Sequence, residues 1–223
     1  MRSKTTFPAA LAVLCLLAAL PFPAAAQSWR TVTMSRQVGG EESLDVRVRF
    51  GAGRLSVLPA DQGLLYRMQL RYDEETFQPV AEYEGNRLKL GVEGIRNSVR
   101  WKGKENQEMT LSLARGVPMA LDLEFGAVRA DVDLGELRMT RLDLSTGASE
   151  SRVDISAPNP ERMSSAVFKV GAADFEVLNL GNLNAERITV DAGVGSVVLD
   201  FQGEWQGDAE VSVDMGLGSL KRR

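Results

Sequence analysis

One phrase is written five times between Leu121 and Leu220, and it restricts this chain more than any other feature. Aligned on Gly126, Gly147, Gly171, Gly193 and Gly216, the copies lie 21, 24, 22 and 23 residues apart. One residue before each glycine stand Phe125, Thr146, Val170, Ala192 and Met215. Three before stand Leu123, Leu144, Phe168, Val190 and Val213; five before, Leu121, Leu142, Ala166, Ile188 and Val211. The intervening residues are mostly polar, as with Asp122, Asp143, Lys169, Asp191 and Asp214. Such period-2 alternation marks strands with one buried face.

After the glycine the alternation resumes, with Val132, Val153, Val177 and Leu199 six residues on. A second break follows nine or ten residues past the glycine at Gly135-Glu136-Leu137, Gly181-Asn182-Leu183 and Gly203-Glu204-Trp205. The second copy breaks instead at Ala157-Pro158-Asn159-Pro160. Two short strands per repeat of ~22 residues, with corners at fixed places, predict an all-β solenoid in which neighbouring repeats supply one another's core. An antiparallel meander is the competing reading. Small residues at one corner (Gly126-Ala127, Gly147-Ala148, Gly171-Ala172) favour the solenoid, because coils ~4.8 Å apart leave little room where the backbone turns.

The start of the chain reads as a leader. Arg2 and Lys4 precede an apolar run, Ala9 to Leu20, which ends in Pro21-Phe22-Pro23-Ala24-Ala25-Ala26-Gln27. This predicts a secretory signal peptide over 1–26, cleaved after Ala26. The run is too short for a spanning helix. Cys15 sits inside it, without the small residues that would mark a lipidated cysteine. Cleavage takes away the sole cysteine, and the sequence has no histidine, which excludes most zinc sites and every His-dependent triad. The formal charge of −4 becomes more negative once Arg2 and Lys4 are gone, which argues against a nucleic-acid binder.

Between leader and repeats, residues 27–107 read as an N-terminal β subdomain with a polar linker loop, and 108–223 as the repeat domain. Val46, Val48 and Phe50, followed by Gly51-Ala52-Gly53, form an early copy of the phrase. Strands are expected over 65–72, 77–83 and 87–92, with Gly85-Asn86 as a hairpin turn. The segment Glu93 to Gln107 is polar, with Arg96, Arg100, Lys102 and Lys104 around Trp101.

Several of these stretches resemble a known family. Ser112-Leu113 through Gly116-Val117-Pro118-Met119-Ala120-Leu121-Asp122-Leu123 is similar to the opening of the bacterial toast-rack or adhesin-like β-repeat domains. Leu142-Asp143-Leu144-Ser145-Thr146-Gly147-Ala148-Ser149 and Asp191-Ala192-Gly193-Val194-Gly195-Ser196 resemble the repeats themselves, and the region from Gly51 to Gly94 resembles the toast-rack N-terminal domain. A related domain forms the C-terminal part of LiaF-type cell-wall-active antibiotic response proteins. The resemblance implies a right-handed β-helix-like stack in the cell envelope, with no catalytic residues to carry over. Relatives usually continue beyond the equivalent of Gly216-Leu217-Gly218, so a chain stopping at Arg223 is expected to be truncated or to leave its last coil uncovered.

No catalytic, cofactor-binding or metal-binding residue stands out. Gly51-Ala52-Gly53 and Gly193-Val194-Gly195 lack the third glycine and the following helix of a nucleotide loop. Asp133, Asp154 and Asp200, seven after their glycines, and Glu124, Asp191 and Asp214, two before, are expected to point outward. Either they form a solvated face with Arg129, Arg138, Arg141 and Arg152 as counter-charges, or they gather a divalent cation. Asp131 with Asp133, on one face of one strand, offers a carboxylate pair that could act as acid and base in the manner of glycosidases, although two outward carboxylates on an amphipathic strand are usually just surface. Trp205 stands where Leu137 and Leu183 recur and is expected in the core; Trp101 is the exposed aromatic. Lys221-Arg222-Arg223 reads as a frayed tail. The expectation is a non-enzymatic, cofactor-free periplasmic or extracellular module meeting a protein or wall component, with edge-to-edge pairing of its C-terminal repeat to a second copy as one mode of contact. The alternative is a carbohydrate-binding or carbohydrate-active envelope protein using Trp101 and the carboxylates.

Overall fold

The computed structural model of the chain describes residues 28–95 and 106–223. The segment expected as a leader, with Cys15, and the one expected as a polar loop, with Trp101, lie outside them. Among the described residues twelve strands form one mixed, all-β sheet: β1 (Trp29–Gln37), β2 (Leu44–Pro59), β3 (Leu64–Asp73), β4 (Phe77–Glu84), β5 (Arg87–Gly94), β6 (Glu108–Leu113), β7 (Met119–Asp133), β8 (Met139–Thr146), β9 (Glu150–Asp154), β10 (Ala166–Leu178), β11 (Arg187–Leu199) and β12 (Glu210–Arg222).

The repeats pair in parallel, each shifted from the next by one whole repeat. Leu123 lies beside Leu144, Leu144 beside Phe168, Phe168 beside Val190 and Val190 beside Val213. That is the column the glycine alignment predicts, and it excludes an antiparallel meander for these strands. Connections such as 179–186 and 200–209 carry the chain back to start the next parallel strand. Parallel neighbours require crossovers of this kind.

The strand pattern departs from two short strands per repeat. In β7, β10, β11 and β12 a single strand runs through the glycine and bends there, so each contributes to two walls. Only the second repeat divides, into β8 and β9, where Ser149 Oγ engages the hydroxyls of Thr146 and Ser151. Before the glycines the wall runs β4-β5-β2-β7-β8-β10-β11-β12; after them it runs β1-β3-β6-β2-β7-β9-β10-β11-β12. Antiparallel pairing is confined to β1–β3, β3–β6 and β4–β5 at the N-terminal end.

The two walls enclose one core. Leu121, Leu142, Ala166 and Ile188 are fully buried in one column, and Val132, Val153, Val177 and Leu199 in another. Phe168 from the first wall meets Phe175 from the second, ring centres 5.9 Å apart and tilted by 56°. Such a tilted pair adds to the stabilisation that the buried area of each ring supplies. The early copy of the phrase joins this stack directly: Val46, Val48 and Phe50 of β2 lie beside Leu121, Leu123 and Phe125 of β7. The hydrophobic core therefore runs without a break from β2 into the repeats.

The connections between the repeats are held by buried asparagines. The Asn159 amide donates to the carbonyls of Met139, Glu161 and Leu183, and its carbonyl oxygen accepts from Met139 N–H. Asn182 donates to Ile155 O and accepts from Glu204 N–H. These side chains satisfy backbone groups that the turns would otherwise bury unpaired.

Candidate functional site: the corner groove and the terminal edge

The five aligned glycines, with Gly51, line up as a corner column. A methyl group on Gly171 would lie 2.8 Å from Gly147 O, on Gly193 2.8 Å from Gly171 O, and on Gly216 2.6 Å from Gly193 O. Close approach of successive backbones, rather than an unusual φ, demands glycine there. With no side chains to fill it, the outer corner is a groove of about 790 Å³, lined by Arg49, Glu124, Ser145, Lys169 and Asp191 along one rim. It continues past Gly193 and Gly216, beside Asp214.

The rim residues are Cα partners in succession: Arg49, Glu124, Ser145, Lys169, Asp191, Asp214. Arg49 and Glu124 form an ion pair at 3.0 Å. Asp191 and Asp214 are exposed neighbours of like charge, with Lys169 on the other side of Asp191. Among the described residues no three His, Cys, Asp or Glu side chains stand close enough to hold a metal ion.

The other carboxylate row is occupied with turns. Asp133 Oδ1 accepts from Gly135 N–H and Ser156 Oγ–H, Asp154 Oδ1 from the Asn179 amide, and Asp200 Oδ1 from Gln202 N–H. Asp200 is buried rather than outward. Asp131 is exposed, with Arg152 beside it across the ladder, and takes no part in these hydrogen bonds. The counter-charges pair mainly between repeats, Arg129 with Glu150, Arg138 with Glu161 and Arg152 with Glu176; Arg141 pairs with Asp143 on its own strand. At Gly195 a side chain would run into Ala173 O, and at Gly53 into Gln107 O, so the chain's own backbone fills the space a nucleotide loop would give to phosphate.

Two expectations are corrected. Trp205 is 42% exposed, whereas Leu137 and Leu183 are buried. It stacks on Phe201 with ring centres 6.4 Å apart, donates to Phe201 O and covers Gly181. Its equivalents are buried by the following repeat, and among the described residues no repeat follows this one. The C-terminal residues are not frayed: β12 extends to Arg222, Arg223 N–H donates to Leu199 O, and the Arg223 guanidinium pairs with Glu176 at 3.3 Å.

The terminal strand is the second feature. Among the described residues β12 pairs only with β11, so one edge is open. Val211, Val213, Met215 and Leu220 are only partly buried, although their partners Ile188, Val190, Ala192 and Val197 are buried. Val194 is 54% and Leu217 72% exposed, side by side at the corner. The alternation alone could not show this, because burial of the last copy depends on what lies beyond it.

These walls, corner and columns define a parallel β-repeat protein. The family model for the N-terminal domain of toast_rack matches residues 24–177 and again 165–221, and the chain belongs to the toast-rack family. Its fold is similar to that of a candidate cell adhesion protein from Clostridium sporogenes, at 15% identity and TM-score 0.60, covering 87% of this chain and 99% of that one. A candidate adhesin from Bacteroides fragilis matches at 14% identity and TM-score 0.35, over 88% and 99%. None of the curated proteins compared with the chain matches it. No helix among the described residues is long and apolar enough to cross a membrane.

Proposed function

We propose that this chain is an exported, non-enzymatic module of the cell envelope, a scaffold or adhesin-like protein built as a right-handed β-helix-like stack. In this reading residues 1–26 are a signal peptide and 27–107 an N-terminal β subdomain. The repeats of 108–223 hold a surface for a protein or wall component. The observation that carries it is how the outward charges are used. Arginine and glutamate pair from one repeat to the next, as in Arg129–Glu150 and Arg187–Glu210, and so tie the stack together instead of converging on a cleft. The candidate cell adhesion protein of similar fold supports the same assignment. N-terminal sequencing of the exported chain is expected to begin at Gln27, and the processed protein to retain an envelope component from extracts. A chain that keeps Cys15, or carries lipid on it, would sink the export arm.

The corner groove favours a second reading, a carbohydrate-binding or carbohydrate-active protein. Its rim offers Arg49, Lys169 and Asp191 to a polar polymer lying along the glycines. Retention on purified wall glycans, weakened by Lys169→Ala, is the outcome expected of it. Absence of both retention and turnover would leave the scaffold reading alone.

A further inference from the structure

We propose that two copies of this chain dock through their C-terminal edges, β12 against β12 in antiparallel sense, around a two-fold axis that passes between Gly216 and Leu217. Three properties of β12 map onto themselves under that one axis.

The first is the inward face. Val211, Val213 and Met215 continue the buried columns of Ile188, Val190 and Ala192, and Gly218, Leu220 and Arg222 continue those of Gly195, Val197 and Leu199. The bend inserts two residues between the sets. Pairing Val211 with Arg222 of the other copy, Val213 with Leu220 and Met215 with Gly218 sets inward residue opposite inward residue on both arms. Opposed residues in an antiparallel pair share a face. Val213 and Leu220, both half-buried, would then close each other's columns.

The second is the backbone. Glu210 N–H donates to Glu186 O and Arg223 N–H to Leu199 O, so outward-facing residues at both ends of β12 turn their amides to β11. Successive residues present their amides to alternate edges. The amides of 211, 213, 215, 218, 220 and 222 therefore face the open side, and the same register makes them hydrogen-bonded pairs.

The third is charge. Glu210 and Asp214 lie on the first arm, and Lys221, Arg222 and Arg223 at the end of the second. Antiparallel pairing sets Glu210 opposite Arg223 of the other copy and brings Lys221 between Glu210 and Asp214. Parallel pairing would set like charges together. Leu217, at 72% the most exposed large apolar side chain described, falls beside the axis next to its own symmetry mate. An open strand edge invites pairing of this kind, and isologous contacts are the commonest among oligomers.

The test uses the exported chain as processed. Light scattering should show a dimer that dissociates with dilution. Leu217→Arg sets two guanidinium groups together on the axis and should weaken it at least ~10-fold, with an unchanged melting curve at dilutions where both chains are monomeric, since Leu217 contributes little to the core. The chain otherwise lacks cysteine once the leader is gone. Ser212→Cys mixed with Lys221→Cys should form an oxidised heterodimer, because these positions face each other in the proposed register; Ser212→Cys alone should not. A monomer at every concentration overturns the proposal. So does a dimer indifferent to Leu217→Arg, self-crosslinking of Ser212→Cys alone, or capture of a strand from a different protein at this edge.

Discussion

The two ends of the stack are finished differently. At the N-terminal end the parallel ladder passes into antiparallel strands: β4 lies on β5 in one wall, and β3 and β1 close the other. Both outer strands carry devices that discourage further pairing, Pro79 in β4 and the charged Arg30 and Arg36 in β1. Arg36 of one wall and Tyr83 of the other are joined through Glu41. The guanidinium lies 4.1 Å from the ring centre, and the Tyr83 hydroxyl donates to Glu41 at 3.2 Å. The C-terminal end has no such closure among the described residues. The same column that buries Val190 completely leaves Val213 half-exposed. Sequence alternation sets which way a side chain points, whereas the neighbouring rung sets how much that is worth.

The sharpest way to break this contrast is a charge in that column. Val190→Asp should cost about 3–5 kcal/mol, because the carboxylate is sealed between Phe168 and Val213. Val213→Asp should cost no more than about half of that in the monomer, since water reaches the last rung. Denaturant unfolding checks both, and equal losses would mean that β12 is covered. The corner gives the next largest effect. Gly193→Ala forces a methyl group to 2.8 Å from a backbone oxygen and should cost roughly 1–3 kcal/mol, whereas Gly51→Ala, whose methyl group meets nothing within 4 Å, should be close to neutral.

Hydrogen exchange sharpens the comparison further. Amides of β11, bonded on both sides, should exchange at least ~10-fold more slowly than those of β12 residues facing the open edge, and dimerisation should narrow the gap. The smallest expected effect is a pH dependence confined to the N-terminal closure. Burial pushes the Glu41 carboxyl up, but hydrogen bonds from its own and the Gly39 amide, the Tyr83 hydroxyl and the Arg36 charge outweigh it and hold the group below its usual 4.5. A lowered folded pKa means stability present above 4.5 and lost as pH falls through the folded value. Glu41→Gln should therefore flatten the acid limb of the melting temperature below about pH 4.5 and leave the exchange of β12 unchanged.

Much of this architecture is legible in the residues. Glycines at near-constant spacing, with apolar residues one, three and five before them, place every rung in its register, because an in-register parallel stack needs the same residue types at each level. The copy at Gly51 was readable for the same reason. Three features escaped. Continuity of the strands through the corner rests on backbone bending that glycine permits but does not announce. The antiparallel order β1-β3-β6 depends on long-range pairing that short alternating segments cannot specify. Trp205 was misplaced because the repeat pattern assumes a following rung. At the candidate sites, charge alternation marked the outward rows, but that Asp133, Asp154 and Asp200 cap turns depends on how the connections between repeats fold.

The parallel stacking also has a mechanical meaning. Hydrogen bonds between rungs run along the stack, so a load applied between its two ends would pull on them one ladder at a time instead of shearing all together. Each rung that lets go releases the 21 to 24 residues of one repeat, about 70–85 Å of contour length at ~3.3–3.6 Å per residue. Under tension such a chain would lengthen in near-equal steps at modest force, beginning at whichever end rung is held least. It would dissipate work while the remaining rungs stayed folded, as a spring made of separable turns does.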